Sequence, residues 1–149
     1  MVTAYAYGDI ALIERYVEGV EVAISIIEDA QGEAQPLPAV EIVPDGGVYN
    51  YEARYTAGAT EFFTPARLSS STAASAAAAS LTAYRTLGHQ HLSRVDLIID
   101  ADDRPWFLEA NVSPGMTETS LLPMAVEAAG LDAPKVYAGI VERALNPHP

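Results

Sequence analysis

Ser93-Arg94-Val95-Asp96-Leu97-Ile98-Ile99-Asp100, followed by Trp106-Phe107-Leu108-Glu109-Ala110-Asn111-Val112-Ser113-Pro114-Gly115-Met116-Thr117, is the stretch on which the reading of this chain turns. Both segments are apolar and strand-like, and each carries polar residues two positions apart. Alternate side chains of an extended strand share a face, so Arg94 falls beside Asp96, and Glu109 beside Asn111. If the strands are hairpin neighbours, one guanidinium and three hard oxygen donors converge. That set suits Mg2+ holding a phosphate, because Mg2+ takes oxygen ligands and keeps waters and substrate phosphates in its shell. Taken singly, each of the four is more often a solvated or salt-bridged strand residue, and a structural Glu109–Arg94 pair is an open alternative. Trp106, Phe107, Leu108, Ala110 and Val112 predict a mostly buried strand, in which an unpaired carboxylate is costly.

Working outward, Ala11–Val17 and Val20–Glu28 read as two strands of a hairpin about Glu18-Gly19, rich in β-branched residues. Asp29–Pro38 is polar, Ala39–Val43 is a third short strand, and Val48–Arg67 shows no sustained period. Ser69–Leu87 is the clearest helix, with serines able to cap it, an alanine-rich body that permits close packing, and Gly88 as a stop. After the two decisive strands, Leu121, Leu122, Met124, Ala125 and Ala128 mark an apolar helix face ending at Gly130. A last helix runs over about 134–145. Strands, a helix, a hairpin and two helices make an α+β pattern with an antiparallel sheet flanked by helices.

Composition narrows the function. The net charge of -12, eight Lys plus Arg against twenty Asp plus Glu, disfavours nucleic acid and anionic membrane as partners. There is no cysteine, hence no disulfide framework or thiolate site. No secretory signal and no apolar run of membrane-spanning length is evident, so the expected location is cytoplasmic. His89-Gln90-His91 reads as a solvated turn, since two histidines lack a third ligand. Tyr5, Tyr7, Tyr49, Tyr51 and Tyr55 are poor candidates for base stacking in so acidic a chain.

Arg94-Val95-Asp96 and the run from Glu109 to Thr117 together resemble the C-terminal signature of D-alanine:D-alanine ligases, members of the ATP-grasp superfamily. The likeness extends through Ile13–Glu21, Tyr49–Tyr55 and Ser120–Ala125, four blocks in order over about residues 10–145. It implies that residues 1–149 form the C-terminal ATP-grasp domain, with the N-terminal and small central domains of the family lacking a counterpart. It also implies an ATP-dependent reaction that joins two D-alanines through an acyl phosphate, for peptidoglycan precursor synthesis. By the resemblance, Asp96, Glu109 and Asn111 are the ligands of two Mg2+ (or Mn2+) ions, Glu109 bridging. Arg94 stabilises the acyl phosphate, and the Gly115 N–H faces the oxyanion. Ser120 and Leu121 hold the second D-alanine. Glu14, Tyr16 and Val17 flank the adenine and Glu21 the ribose, while Tyr55 discriminates the acceptor. Arg54 stands where most members have lysine, keeping positive charge for phosphate but altering geometry. Within the resemblance, one jaw of a two-jawed site is expected to be inactive alone, and its exposed sheet edge and cleft wall favour a homodimer. The alternatives are another carboxylate–amine ligase, such as a D-alanine:D-lactate type, or a non-catalytic domain retaining the fold.

Overall fold

The computed structural model describes residues 5–46 and 58–145. Its centre is β1 (Val20–Glu28), whose residues 22–27 are all buried because both faces of the strand are covered. A strand shielded on both sides reads as a continuous apolar run, which is what VEVAISIIE is. Around it lie β2 (Ala34–Pro36), β3 (Val40–Pro44), β4 (Thr60–Phe63), β5 (Leu92–Ile99) and β6 (Pro105–Asn111). The spatial order is β4-β3-β1-β5-β6, with β2 pairing the far end of β1, and every pairing is antiparallel.

Helix α1 (Ser70–Thr86) covers one face. Ser69 caps it, its Oγ accepting from Thr72 N–H at 3.1 Å. Its packing side is small, with Ala76 and Ser80 fully buried, so the helix settles closely over Val22, Ile24, Ile26, Val95, Leu97 and Ile99. Helices α2 (Leu121–Ala128) and α3 (Ala133–Leu145) cover part of the other face. There Leu121, Leu122, Ala125 and Val126 complete a core with Ala23, Ile27, Val40, Ile42 and Leu92. The α+β architecture and antiparallel sheet expected from sequence are both present.

Four local expectations are corrected. Residues 11–17 are not a strand, and Leu12, Ile13 and Tyr16 are largely exposed. Both edges of β1 are already taken, by β3 with β2 on one side and β5 on the other, so the preceding segment cannot form the expected hairpin with β1. Strands β2 and β4, at three and four residues, fall inside stretches read as irregular because they are too short to show a period. Strand β6 is the sheet edge and not a buried strand; Phe107, Leu108 and Val112 are 51%, 44% and 66% exposed. Lastly, the histidines are partnered rather than solvated. His91 Nδ1 lies 3.1 Å from Glu28 Oε2, and His89 Nδ1 lies 2.8 Å from Ser93 Oγ.

Candidate functional site

Strands β5 and β6 form a hairpin in which Arg94 stands opposite Asn111 and Asp96 opposite Glu109. Directly opposed residues of an antiparallel pair project from the same face, so all four share one face. It is the face on which α2 and α3 pack elsewhere on the sheet, and it runs out toward the sheet edge at β6.

The four are not equivalent. Arg94 donates a planar fork to Asp96, Nε to Oδ1 and Nη2 to Oδ2, both at 2.7 Å, and the two residues are only 8% and 6% exposed. Two charge-assisted bonds in parallel hold such a pair rigidly. Glu109 is different: its side chain is 60% exposed and its Oε1 lies 3.8 Å from Arg94 Nη2, a long ion pair beyond hydrogen-bond reach, so the Glu109–Arg94 pairing left open by the sequence is present only in this loose form. Asn111 Oδ1 accepts from Ser113 N–H at 2.9 Å, opening the turn that leaves the strand. From below, buried Ser93 donates its Oγ–H to the Asn111 carbonyl at 3.3 Å.

That turn leads to Gly115 and Ser120. A Cβ at position 115 would lie 2.6 Å from Ser120 Oγ, so glycine is what lets the loop close on the start of α2. Ser120 Oγ accepts from Thr117 N–H at 3.2 Å and lies 2.8 Å from Thr117 Oγ1, instead of capping its own helix. Leu121 places its side chain in the core, 6% exposed, so what it presents at the helix start is its backbone. First-turn N–H groups without intrahelical partners favour an anion.

A cleft of about 380 Å³ lies farther along the same hairpin, lined by Arg15, Tyr16, Val17, Glu18, Asp100, Ala101, Asp102 and Trp106. Trp106, opposite Ile98, is on the face of Asp96 and Glu109. Its indole N–H donates to Asp100 Oδ2 at 2.7 Å, and the Arg15 guanidinium stacks 5.0 Å above its ring. The indole bond, with backbone donors from Arg104 and Asp102, holds the Asp100 carboxyl below its ordinary range. Gly19 is the hinge between this segment and β1; any Cβ there would collide with the Ile99 carbonyl.

Of the residues singled out from sequence, Arg94, Asp96, Glu109 and Asn111 are brought together, and Gly115, Ser120 and Leu121 sit in the adjoining turn and helix start. Tyr16 and Val17 line the cleft; Glu14 is exposed and does not line it, and Glu21 lies on β1 across β5, opposite Ile98. Arg54 and Tyr55 lie outside the described residues. Sequence reasoning missed Trp106 as a wall of the cleft, although it is the single tryptophan and falls in phase with Ile98 once the hairpin register is known.

The donor set fits a hard divalent cation. No group of three or more His, Cys, Asp and Glu residues is arranged for a metal among the described residues, so such a site depends on the amide oxygen of Asn111 beside two carboxylates. Each carboxylate oxygen has a second lone-pair direction, so the Arg94 fork does not exhaust Asp96. Oxygen-only donors beside a guanidinium match Mg2+ or Mn2+ accompanied by phosphate.

Comparison with known proteins points the same way. The family described as "D-ala D-ala ligase C-terminus" matches residues 1–142. A D-alanine–D-alanine ligase from Bordetella petrii is 41% identical over 141 residues, covering 95% of this chain and 43% of that protein. One from Synechococcus sp. (strain JA-3-3Ab) is 46% identical over 135 residues, covering 90% of this chain and 39% of the relative. The crystal structure of D-alanine–D-alanine ligase from Bacillus anthracis superimposes with a TM-score of 0.78 at 30% identity over 97% of this chain and 46% of its own, and the same enzyme complexed with ATP gives 0.77. The chain thus spans less than half the length of these relatives.

Proposed function

This chain belongs to the D-ala D-ala ligase C-terminus family, with the α+β fold of an ATP-grasp C-terminal domain, and on that premise we propose that it supplies the phosphate- and acceptor-side jaw of a D-alanine:D-alanine ligase. In the proposed reaction ATP phosphorylates the carboxylate of one D-alanine, and the amine of a second displaces phosphate from the acyl carbon. The products are the dipeptide, ADP and phosphate. The observation that carries the reading is the register: Arg94 opposite Asn111 and Asp96 opposite Glu109, on one face at the sheet edge.

Each residue then has a chemical task. Asp96, Glu109 and Asn111 would hold Mg2+ (two ions, or Mn2+), which supplies neutralisation of the charge on the transferring phosphoryl oxygens. Arg94 places its positive charge beside the anionic acyl phosphate, while its fork to Asp96 fixes the orientation of the guanidinium. The Gly115 N–H faces the oxygen that gains charge as the amine attacks. The first-turn N–H groups of Leu121 and Leu122 at the start of α2, with Ser120 Oγ, take the carboxylate of the second D-alanine. Tyr16 and Val17, with Trp106, form the wall against which the nucleotide base rests.

ATP and D-alanine are the proposed partners, together with the portion of the ligase that this jaw closes against, and the proposed setting is the cytoplasm. Among the described residues no helix is long and apolar enough to cross a membrane. The test is a graft: residues 1–142 replace the matching part of the Bordetella petrii relative, and ADP release is measured with and without D-alanine. Release that depends on D-alanine and is abolished by Glu109→Gln is expected. A folded graft that releases no ADP would leave the domain a non-catalytic retainer of the fold. The isolated chain is expected to release none, and D-lactate or D-serine as acceptor in the active graft sorts the ligase type.

A further inference from the structure

The ladder between β5 and β6 contains one irregularity, and it lies inside the site. Asp96 stands opposite Glu109 and Leu97 opposite Phe107, so Leu108 is an extra residue with no counterpart on β5. In an unbroken strand Phe107 and Glu109, two apart, share a face. Here they stand opposite Leu97, which packs under α1, and Asp96, which does not.

The insertion reconciles two anchors that are one residue out of phase. At the turn end, Asp100 N–H donates to the Arg104 carbonyl at 3.1 Å and Trp106 bonds Asp100, which sets Ile99 against Pro105. At the other end, Ser93 holds the Asn111 carbonyl and sets Arg94 against Asn111. Removing one residue between them would let both anchors stand in an unbroken ladder.

We propose that Leu108 is a positioning residue that acts through its backbone: the bulge it creates holds the Glu109 carboxylate beyond hydrogen-bond reach of the Arg94–Asp96 fork, at the edge of ion-pair distance, and so keeps it available to a divalent cation. In a regular ladder the Asp96 and Glu109 side chains, which the register already sets opposite each other, would stand parallel and close, where two carboxylates repel, or else Glu109 would be drawn into hydrogen bonds with Arg94. A bulge bends its strand and increases local twist, turning a side chain away from its partner. The observed state is the turned one, with Glu109 60% exposed and 3.8 Å from Arg94 while Asp96 occupies the guanidinium. The inference rests on the proposed function in that it takes the ligand to be a divalent metal.

The experiment measures Mn2+ binding to the purified chain by the loss of the free-ion electron paramagnetic resonance signal, alongside thermal unfolding. Deleting Leu108 is expected to leave cooperative unfolding at an equal or higher temperature and to weaken Mn2+ binding by about 10-fold or more, the range seen when support of a metal ligand is lost. Leu108→Ala keeps the bulge and is expected to keep the affinity, which separates backbone from side chain. Unchanged Mn2+ binding in the deletion overturns the inference while leaving the metal reading standing. Binding that is absent, or indifferent to Glu109→Gln, removes the metal reading itself and the inference with it. Should the deletion not fold, the intact chain answers through Arg94→Lys, Glu109→Gln and the double variant: additive shifts in melting temperature are expected, and strong coupling between the two would show that Glu109 already belongs to the fork.

Discussion

Two arginine–carboxylate forks sit on opposite faces of one sheet, and they do different work. On the α1 side, Glu41 of β3 is 5% exposed and receives three bonds from Arg67: the backbone N–H at 3.0 Å, Nε at 3.0 Å and Nη2 at 2.6 Å. Arg67 is itself half in solvent and lies 3.6 Å over the Phe63 ring. Every interaction of that fork ties the segment after β4 to the sheet, so it is a closed structural clasp. On the other face the Arg94–Asp96 fork is buried at both ends and borders two donors, Glu109 and Asn111, on an open edge. The same chemistry only ties segments together in the clasp, and in the site fork it stands beside further donors that a ligand can use.

Breaking the site fork is expected to cost more than breaking the clasp. Asp96→Asn strands a buried guanidinium, a loss of about 3–5 kcal/mol by the general cost of halving a buried ion pair, read as a fall in the urea midpoint. Glu41→Gln should cost only about 1–2 kcal/mol, since Arg67 can turn into water and the amide still accepts its N–H. If the two losses come out equal, the distinction between clasp and site fork fails.

The clasp also carries a pH signature. The Arg67 hydrogen bonds hold the Glu41 carboxyl below its ordinary 4.5, against the opposing effect of burial. A depressed folded-state value means stability present above the unfolded value and lost as pH falls through the folded one. The gap between wild type and Glu41→Gln is therefore full at neutral pH and narrows below pH 4.5; denaturation at paired pH values measures it.

Smaller effects sharpen the contrast at the open edge. Gly115→Ala pushes on Ser120 Oγ, which can rotate at the loss of its Thr117 bonds, about 1 kcal/mol in stability but a clear loss of ligand binding at the α2 start, followed by calorimetry. Glu109→Gln is smallest in unfolding experiments, within about 0.5 kcal/mol of wild type, because the exposed side chain is in no closed fork. A large destabilisation there would mean that Glu109 is a structural partner of Arg94 after all.

Much of this was legible in the residues. The apolar runs of β1 and β5, the capped alanine-rich α1 and the two C-terminal helices announce themselves by length and period. So does the site face, because Arg94 with Asp96, and Glu109 with Asn111, keep the spacing of two that a strand needs. What could not be read is what depends on neighbours distant in sequence. Residues 11–17 have strand composition, but whether β1 is free to pair with them is decided by β3 and β5. The apolar residues of β6 look like core until the sheet order places the strand at an edge. The extra residue at Leu108 leaves the spacing of Glu109 and Asn111 untouched, so no pattern betrays it.

Leu121 joins two demands in a single residue, with its side chain wedged among Leu122, Ala125 and the strands while its amide stands at the mouth of the turn from Gly115. The interior and the recognition edge are therefore one mechanical part. Warming that loosens the interior will blur the position of that amide well before the chain unfolds. A substitution chosen only to improve packing around α2 will be felt as a change in grip on whatever carboxylate the helix receives.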